Sequence, residues 1–179
     1  MRESIPGIEV FDLNTGKTKM AVGNAGLKVR STMTLKIGKS TWELLRRHGE
    51  ETYPHECCGV LLGEIDGDGL KSVQAAVRCG NLRSDSPQDR YLIDPRELVR
   101  IQRQAREQGQ DIVGFYHSHP DHPARWSQTD LAEAHWTGCS YVITSVINGR
   151  ATDTNSFNLA GDPGEKQNKH FEDEEIRVE

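Results

Sequence analysis

Apolar positions along this chain follow two periods, and the switches between them mark out its elements. From Ser40 to Gly49 the spacing is helical, with Trp42, Leu45 and Leu44 turned toward a core. Ser40 and Glu43 have the spacing of a capping box, so a first helix is expected to start there and to stop near Gly49, ahead of Tyr53-Pro54. Cys57-Cys-Gly-Val-Leu-Leu62 is a short apolar run that reads as a buried strand. Asp66-Gly67-Asp68-Gly69 signals a hairpin turn, and residues 70–79 fit the return strand. Residues 80–91 are polar and read as a loop. Asp94 as N-cap, Pro95 at the first helical position and Glu97 in the first turn begin a second helix. Leu98, Ile101 and Ala105 give it one apolar face, and Gly109 ends it. Ile112–Tyr116 is a strand that runs into a group of histidines, and residues 127–136 predict a third helix. Residues 140–148 are a strong strand, Asn148-Gly149 a type I′ turn signal, and 151–159 pair back. No internal repeat is present. The order helix, hairpin, helix, strand, helix, hairpin predicts an α/β (α+β) fold with a single mixed central β-sheet and helices packed against it.

The flanks differ. Residues 1–32 show little periodicity, carry Gly7, Gly16, Gly23 and Gly26, and read as short strands or a loosely attached extension. Counted through Lys36, this end has six basic and three acidic residues. The last fifteen residues hold six acids against three bases, and read as a solvated acidic tail or an added short strand. At 179 residues the chain is long enough for one full core without staples. Its net charge of −5 excludes a global basic footprint for nucleic acid. No apolar run approaches the length of a bilayer span, and no export signal is evident, so a cytoplasmic location with reduced thiols is expected. Cys57, Cys58, Cys79 and Cys139 include no Cys-x-x-Cys pair and read as core residues.

The stretch from Gly114 to Asp130 carries the chemistry. His117 and His119 are two apart, which on a strand puts both imidazoles on one face. Pro120 and Pro123 end the strand and stiffen the turn. Asp130 falls in the first turn of the helix expected from Ser127, where a helix N-terminus favours a carboxylate. Two neutral histidines and one Asp make a three-ligand zinc site with the fourth position open for water, the catalytic rather than the structural pattern. Glu56, at the foot of an expected strand Glu56–Leu62, is a candidate base near the metal. Ser127 is a candidate oxyanion donor. Each piece has a plainer reading alone, since Ser127-x-x-Asp130 is also a capping-box variant.

The combination resembles the JAMM motif of the MPN+ metalloprotease family. His117-Ser-His119-Pro120, six residues and then Ser127-x-x-Asp130 match that motif, and Glu56 followed by Cys-Cys-Gly-Val-Leu-Leu-Gly resembles the family's catalytic-glutamate strand. Residues 91–97 and 114–125 resemble the stand-alone bacterial members most. The resemblance covers residues 33–160, and so implies an extension over 1–32, a catalytic domain over 33–160 and an acidic segment over 161–179. It implies the JAMM fold, layered like cytidine deaminase. It implies one Zn²⁺ per chain on His117, His119 and Asp130 with water as fourth ligand and nucleophile. Glu56 is then general base and acid, and Ser127 the stabiliser of the tetrahedral intermediate.

The same resemblance implies a metallopeptidase or isopeptidase. Its substrates would be ubiquitin-fold sulfur-carrier proteins or their conjugates, cut after a Gly-Gly tail to release an amino acid, a peptide or a protein. An extended tail pairs with a strand edge, and loop 80–91 with Tyr91, Leu92 and Ile93 is the candidate clamp. His122 and Arg125 are further candidates for substrate contact. Trp126 stands where close relatives are expected to have proline, and is placed in the groove beside the site. His135 reads as a helix surface residue. A homodimer is left open; nucleic acid and membrane are not expected as partners. A non-catalytic interaction module of the same fold is the rival reading, against which the complete Glu-His-His-Ser-Asp set argues. A DNA-repair-associated relative would want a basic groove. A zinc deaminase would want His-x-Glu and Pro-Cys-x-x-Cys, which do not occur.

Overall fold

The computed structural model describes residues 8–12, 17–21, 33–162 and 168–179. Expectations for the rest of residues 1–32, its four glycines included, and for 163–167 lie outside the described residues. The chain divides into two units, Met1–Ser31 and Thr32–Glu179. In the first, β1 (Ile8–Asp12) and β2 (Lys17–Ala21) pair as an antiparallel hairpin.

The second unit contains β3 (Thr34–Ile37), α1 (Lys39–Thr52), β4 (Cys58–Ile65), β5 (Lys71–Cys79), α2 (Pro95–Glu107), β6 (Asp111–Pro120), α3 (Gln128–Glu133), β7 (Ser140–Ile147), β8 (Arg150–Ala160) and β9 (His170–Val178). The class is α+β. The sheet is mixed, but it is not open: the order β3-β5-β4-β6-β7-β8-β9 closes on itself as a barrel. Closure comes from the acidic C-terminal segment. β9 pairs antiparallel with β8 and parallel with β3, with Phe171 buried and Ile176 packed on the core. Its acidic composition hides this alternation.

A buried ion pair lies across the closure. Lys71 on β5 donates to Glu174 on β9 at 2.8 Å and to Asn158 on β8 at 2.7 Å. Glu174 also accepts from Ser156 at 2.5 Å. The side chains of Lys71 and Glu174 are 2% and 0% exposed, so each charge depends on the other.

Two apolar layers flank the sheet. Ile101 and Ala105 of α2 pack on Cys58, Val60, Phe115, Tyr141 and Ile143. On the other face Leu45 of α1 packs with Leu35, Leu61, Val113, Tyr116 and Val142. A bulge sets which residues of β6 face which layer. Leu61 pairs with Gly114 but Leu62 pairs with Ile112, so Val113 is the extra residue. Beyond it Phe115, His117 and His119 share the α2 side, while Tyr116 and Ser118 take the other. Gly59 permits the Tyr116 ring to lie against β4, since a Cβ there would collide with the ring and with the Val77 carbonyl. The Tyr116 hydroxyl then meets Nδ1 of buried His48 on α1 at 3.0 Å.

Several expected boundaries move. α1 starts at Lys39 with Gly38 as N-cap and no side-chain cap, so the Ser40 capping box does not form. The Lys39 amide instead donates to the Glu179 carbonyl at 2.8 Å. The helix passes through Gly49, which is there for close packing against Val146 and Ser118, and ends at Thr52. α3 is six residues rather than ten positions from 127 to 136. It ends because Ala134 turns extended and the Trp136 amide donates to the Tyr141 hydroxyl, which steers the chain into β7. The hairpin turns at Asp66–Gly69 and Asn148-Gly149 form, the latter with positive φ at both residues. No helix among the described residues is long and apolar enough to cross a membrane.

Removing one partner of the Lys71–Glu174 pair strands the other. Lys71→Met is expected to lower unfolding free energy by about 3–5 kcal/mol, and Lys71→Met with Glu174→Leu to recover much of it. Urea denaturation checks this; equal loss in the single and double variants contradicts it.

Candidate metal and catalytic site

β6 delivers His117 and His119 to the α2 side of the sheet, both buried. Their Nε2 atoms lie 3.0 Å apart. Asp130 in the first turn of α3 completes a cluster: Oδ1 is 3.2 Å from His117 Nε2 and Oδ2 is 3.6 Å from His119 Nε2. One ligand atom from each of these residues lies within 4.8 Å of the others. The donors fit a borderline-soft divalent cation such as zinc, with two imidazole nitrogens and one carboxylate. The tautomer of His119 agrees with that fit. Its Nδ1 lies 3.0 Å from the Pro123 carbonyl, which only accepts, so Nδ1 carries the proton and Nε2 keeps its lone pair toward the cluster. His117 has no such partner at Nδ1; the Tyr91 ring stacks on its imidazole instead, centroids 4.7 Å apart.

The electrostatics match a cation site. Burial holds His117 below its usual pKa, partly offset by Asp130, so the ring stays neutral at physiological pH. Asp130 is also desolvated, but the His117 and His119 rings beside it and hydrogen bonding from Ser127 hold its carboxyl far below the usual carboxylate range. The capping box coexists with a carboxylate that faces both histidines. The Ser127 amide donates to Asp130 Oδ2 at 2.6 Å, and the Asp130 amide donates to Ser127 Oγ at 3.1 Å. Ser127 is exposed, and its hydroxyl hydrogen is not used by that bond.

Glu56 is not on a strand; β4 begins two residues later, at Cys58. Its position is fixed from both sides. The Cys57 amide donates to Ser118 Oγ at 2.9 Å, and Ser118 sits between the two histidines on the opposite face of β6. The Glu56 amide donates to the Pro87 carbonyl at 2.7 Å, at the tip of the 81–92 loop. The buried carboxyl lies 3.9 Å from His119 Nε2. Burial pushes it up to about 9, with Asp130, Asp89 and Glu133 adding like charge. The thiols are inert by the same logic: burial raises Cys57 and Cys79 to about 12 and Cys139 to about 11, and all four are free.

The 81–92 loop is a pinned ring. The Leu82 amide donates to the Leu92 carbonyl, and the Asn81 side chain bonds Arg83, Arg90 and Leu92. Tyr91, Leu92 and Ile93 line a cavity of about 340 Å³ with Leu98, Phe115 and Trp136. His135 also lines it, since α3 ends before reaching that residue. The other candidates are not brought to the His117, His119 and Asp130 cluster. His122 and Arg125 are exposed; His122 offers its carbonyl to Ser145, and Arg125 borders a separate cavity with Asp173 and Glu174. Trp126 packs its ring on Phe171 of β9. The hydrogen bonds by which Ser118, Pro87 and Pro123 position the site have no signal in the sequence, because a serine between two histidines and two proline carbonyls carry no chemical signature of their own.

Residues 38–160 match the family of prokaryotic homologues of the JAB domain. The chain is 41% identical over 99 residues to a desampylase of Haloferax volcanii, covering 55% of this chain and 68% of that one. It is 29% identical over 119 residues to a probable TtuB-protein conjugate cleaving protease of Thermus thermophilus, covering 66% and 75%. A solution structure of a protein from Desulfitobacterium hafniense superposes with a TM-score of 0.65 at 29% identity, covering 82% and 94%.

In the metal-free protein Glu56 makes stability pH-dependent. The unfolded carboxyl ionises near 4.5 and the folded one near 9, so between these values the folded state holds the extra proton and stability falls as pH rises. Metal-free Glu56→Gln is therefore expected to melt above the parent at pH 8 and much nearer to it at pH 4. Thermal melts in chelator at both pH values check this; an unchanged difference contradicts it.

Proposed function

Because this chain belongs to the prokaryotic homologues of the JAB domain and is a JAMM-type hydrolase, we propose that it is a zinc-dependent peptidase or isopeptidase. In this reading it cleaves the amide bond after the Gly-Gly tail of a ubiquitin-like, sulfur-carrier-type protein. The observation that carries the reading is the meeting of His117, His119 and Asp130 with the Glu56 carboxyl 3.9 Å from His119. The names of the Haloferax and Thermus relatives, a desampylase and a conjugate-cleaving protease, support the substrate class.

His117, His119 and Asp130 would hold the zinc. Bound there, it supplies a Lewis acid for the scissile carbonyl, a water pKa lowered to about 7, and a positive charge that favours ionised Glu56. Glu56 then takes a proton from the attacking water and passes it to the leaving nitrogen, which needs a carboxyl able to hold either state near neutral pH. The Ser127 hydroxyl donates to the oxyanion that develops on the attacked carbonyl. The stacked Tyr91 ring keeps His117 in its orientation and shields it from water.

The tail enters along Tyr91–Ile93. Leu92 spends its own N–H and C=O on the loop. In an extended segment the peptide groups of Tyr91 and Ile93 point the other way, toward an incoming strand. Glycines at the cut suit this approach because no side chain is in the way. The cavity beside Tyr91 takes an apolar side chain upstream of them.

The zinc content of the purified chain is measured first, with turnover of a Gly-Gly-tailed carrier fused to a peptide. The parent is expected to hold one zinc and Asp130→Ala none. Glu56→Gln is expected to keep zinc and lose several orders of magnitude in rate. Ser127→Ala is expected to keep zinc, lose about 10²–10³-fold in rate and cost about 1 kcal/mol as a lost cap. Full peptidase activity in Glu56→Gln rejects the mechanism. A parent without zinc after refolding with the metal favours the interaction-module reading.

A further inference from the structure

Arg83 is on the loop wall beside this site, and its bonding is incomplete. Its Nη2 donates to Glu133 Oε1 at 3.0 Å, and its Nη1 lies 3.7 Å from Asp85. Glu133 is the last residue of α3, the helix whose first turn carries Asp130. The side chain thus ties the 81–92 loop to that helix. Its Nε is buried and has no hydrogen-bond partner. A buried guanidinium N–H without an acceptor is rare, and calls for one supplied from outside the chain.

Arg83 is also the residue shared by two cavities. One is the apolar cavity with Tyr91, Leu92 and Trp136. The other, about 540 Å³, is lined by Glu56, His55, Thr52 and Pro87 among others. A substrate that passes from the apolar cavity to the carboxyl of Glu56 passes Arg83. The charge of the guanidinium is already matched by Glu133 and Asp85, so a third anion would face two carboxylates. A neutral acceptor suits the remaining N–H better.

We infer that Arg83 is a specificity-determining residue whose Nε–H donates to a main-chain carbonyl of the substrate's extended tail. This rests on the functional reading above and deepens it. A tail ending in glycines has no side chains near the cut to be recognised, so selection there must use peptide groups. A guanidinium held by the Glu133 carboxylate aims its Nε–H at one of them. Lysine at this position would keep the charge beside Glu133 but would lose the planar fork that aims Nε.

The test uses the full chain with zinc and a Gly-Gly-tailed ubiquitin-fold carrier fused to a peptide. Arg83→Lys and Arg83→Ala are compared with the parent for kcat and KM. In parallel, calorimetry follows binding of the free carrier to Glu56→Gln with and without Arg83→Lys. The expected result for Arg83→Lys is a roughly tenfold rise in KM and in the carrier's dissociation constant. Its kcat, zinc content and melting temperature stay at parent values. A parent that cleaves the carrier while both variants keep its KM overturns the inference and leaves the functional reading standing. A fall in kcat alone in Arg83→Lys also overturns it, because Arg83 then acts only by holding α3. A zinc-loaded parent that neither binds nor cleaves the carrier overturns the functional reading, and this inference with it.

Discussion

The phase of one strand governs the site. β6 is flanked by β4 and β7 and buried on both faces, so every side chain after its bulge is committed to one layer or the other. The extra residue at Val113 resets that phase. Without it, His117 and His119 would point into the layer occupied by α1, and Tyr116 into that occupied by α2. A shift of one residue inverts a whole strand. The same phase places Ser118 where it can hold the Cys57 amide, and so sets Glu56 beside His119. The two histidines and the Glu56 carboxyl are thus fixed by opposite faces of one strand.

Asp130 couples helix capping to the pair of buried histidines. Its carboxylate accepts the Ser127 amide through one oxygen while the other faces His117. The capping box and the approach to the histidines, set against each other in the sequence, coexist in the molecule. Capping pre-orients the carboxylate, so binding a cation does not have to freeze it, and the short helix needs only the turn that carries it. The loop over Glu56 is rigid for a similar reason, since Asn81 satisfies three backbone groups of that loop at once.

Much of this was legible where chemistry and local geometry coincide. Asp94-Pro95 began a helix because cap, φ and charge agree there. Asn148-Gly149 turned because both residues tolerate positive φ. The histidine spacing was legible because strand period alone puts them on one face. Legibility failed where a distant backbone supplied what a side chain was expected to supply. Ser40 does not cap α1, because the Glu179 carbonyl already takes the Lys39 amide. Gly49 does not stop it, because the glycine serves contact rather than termination. The acidic end does not read as a strand of a closed sheet, since the burial of Glu174 depends on a lysine 103 residues away. Arg83 carried no signal, because the lack of an acceptor at its Nε follows from residues that only the fold brings beside it.

The pairing of β3 with β9 joins Thr34 to Glu175. Few contacts in a domain of this size span more of the chain, and such contacts carry a large loop-closure cost before they return anything. β3, which carries the almost fully buried Leu35 and Ile37, has only β5 beside it in the sheet until β9 arrives. During synthesis the apolar edge of β3 is therefore made early and covered late. The folding hazard of this protein sits at that seam, far from the histidines, where a half-made chain offers an open strand to its neighbours.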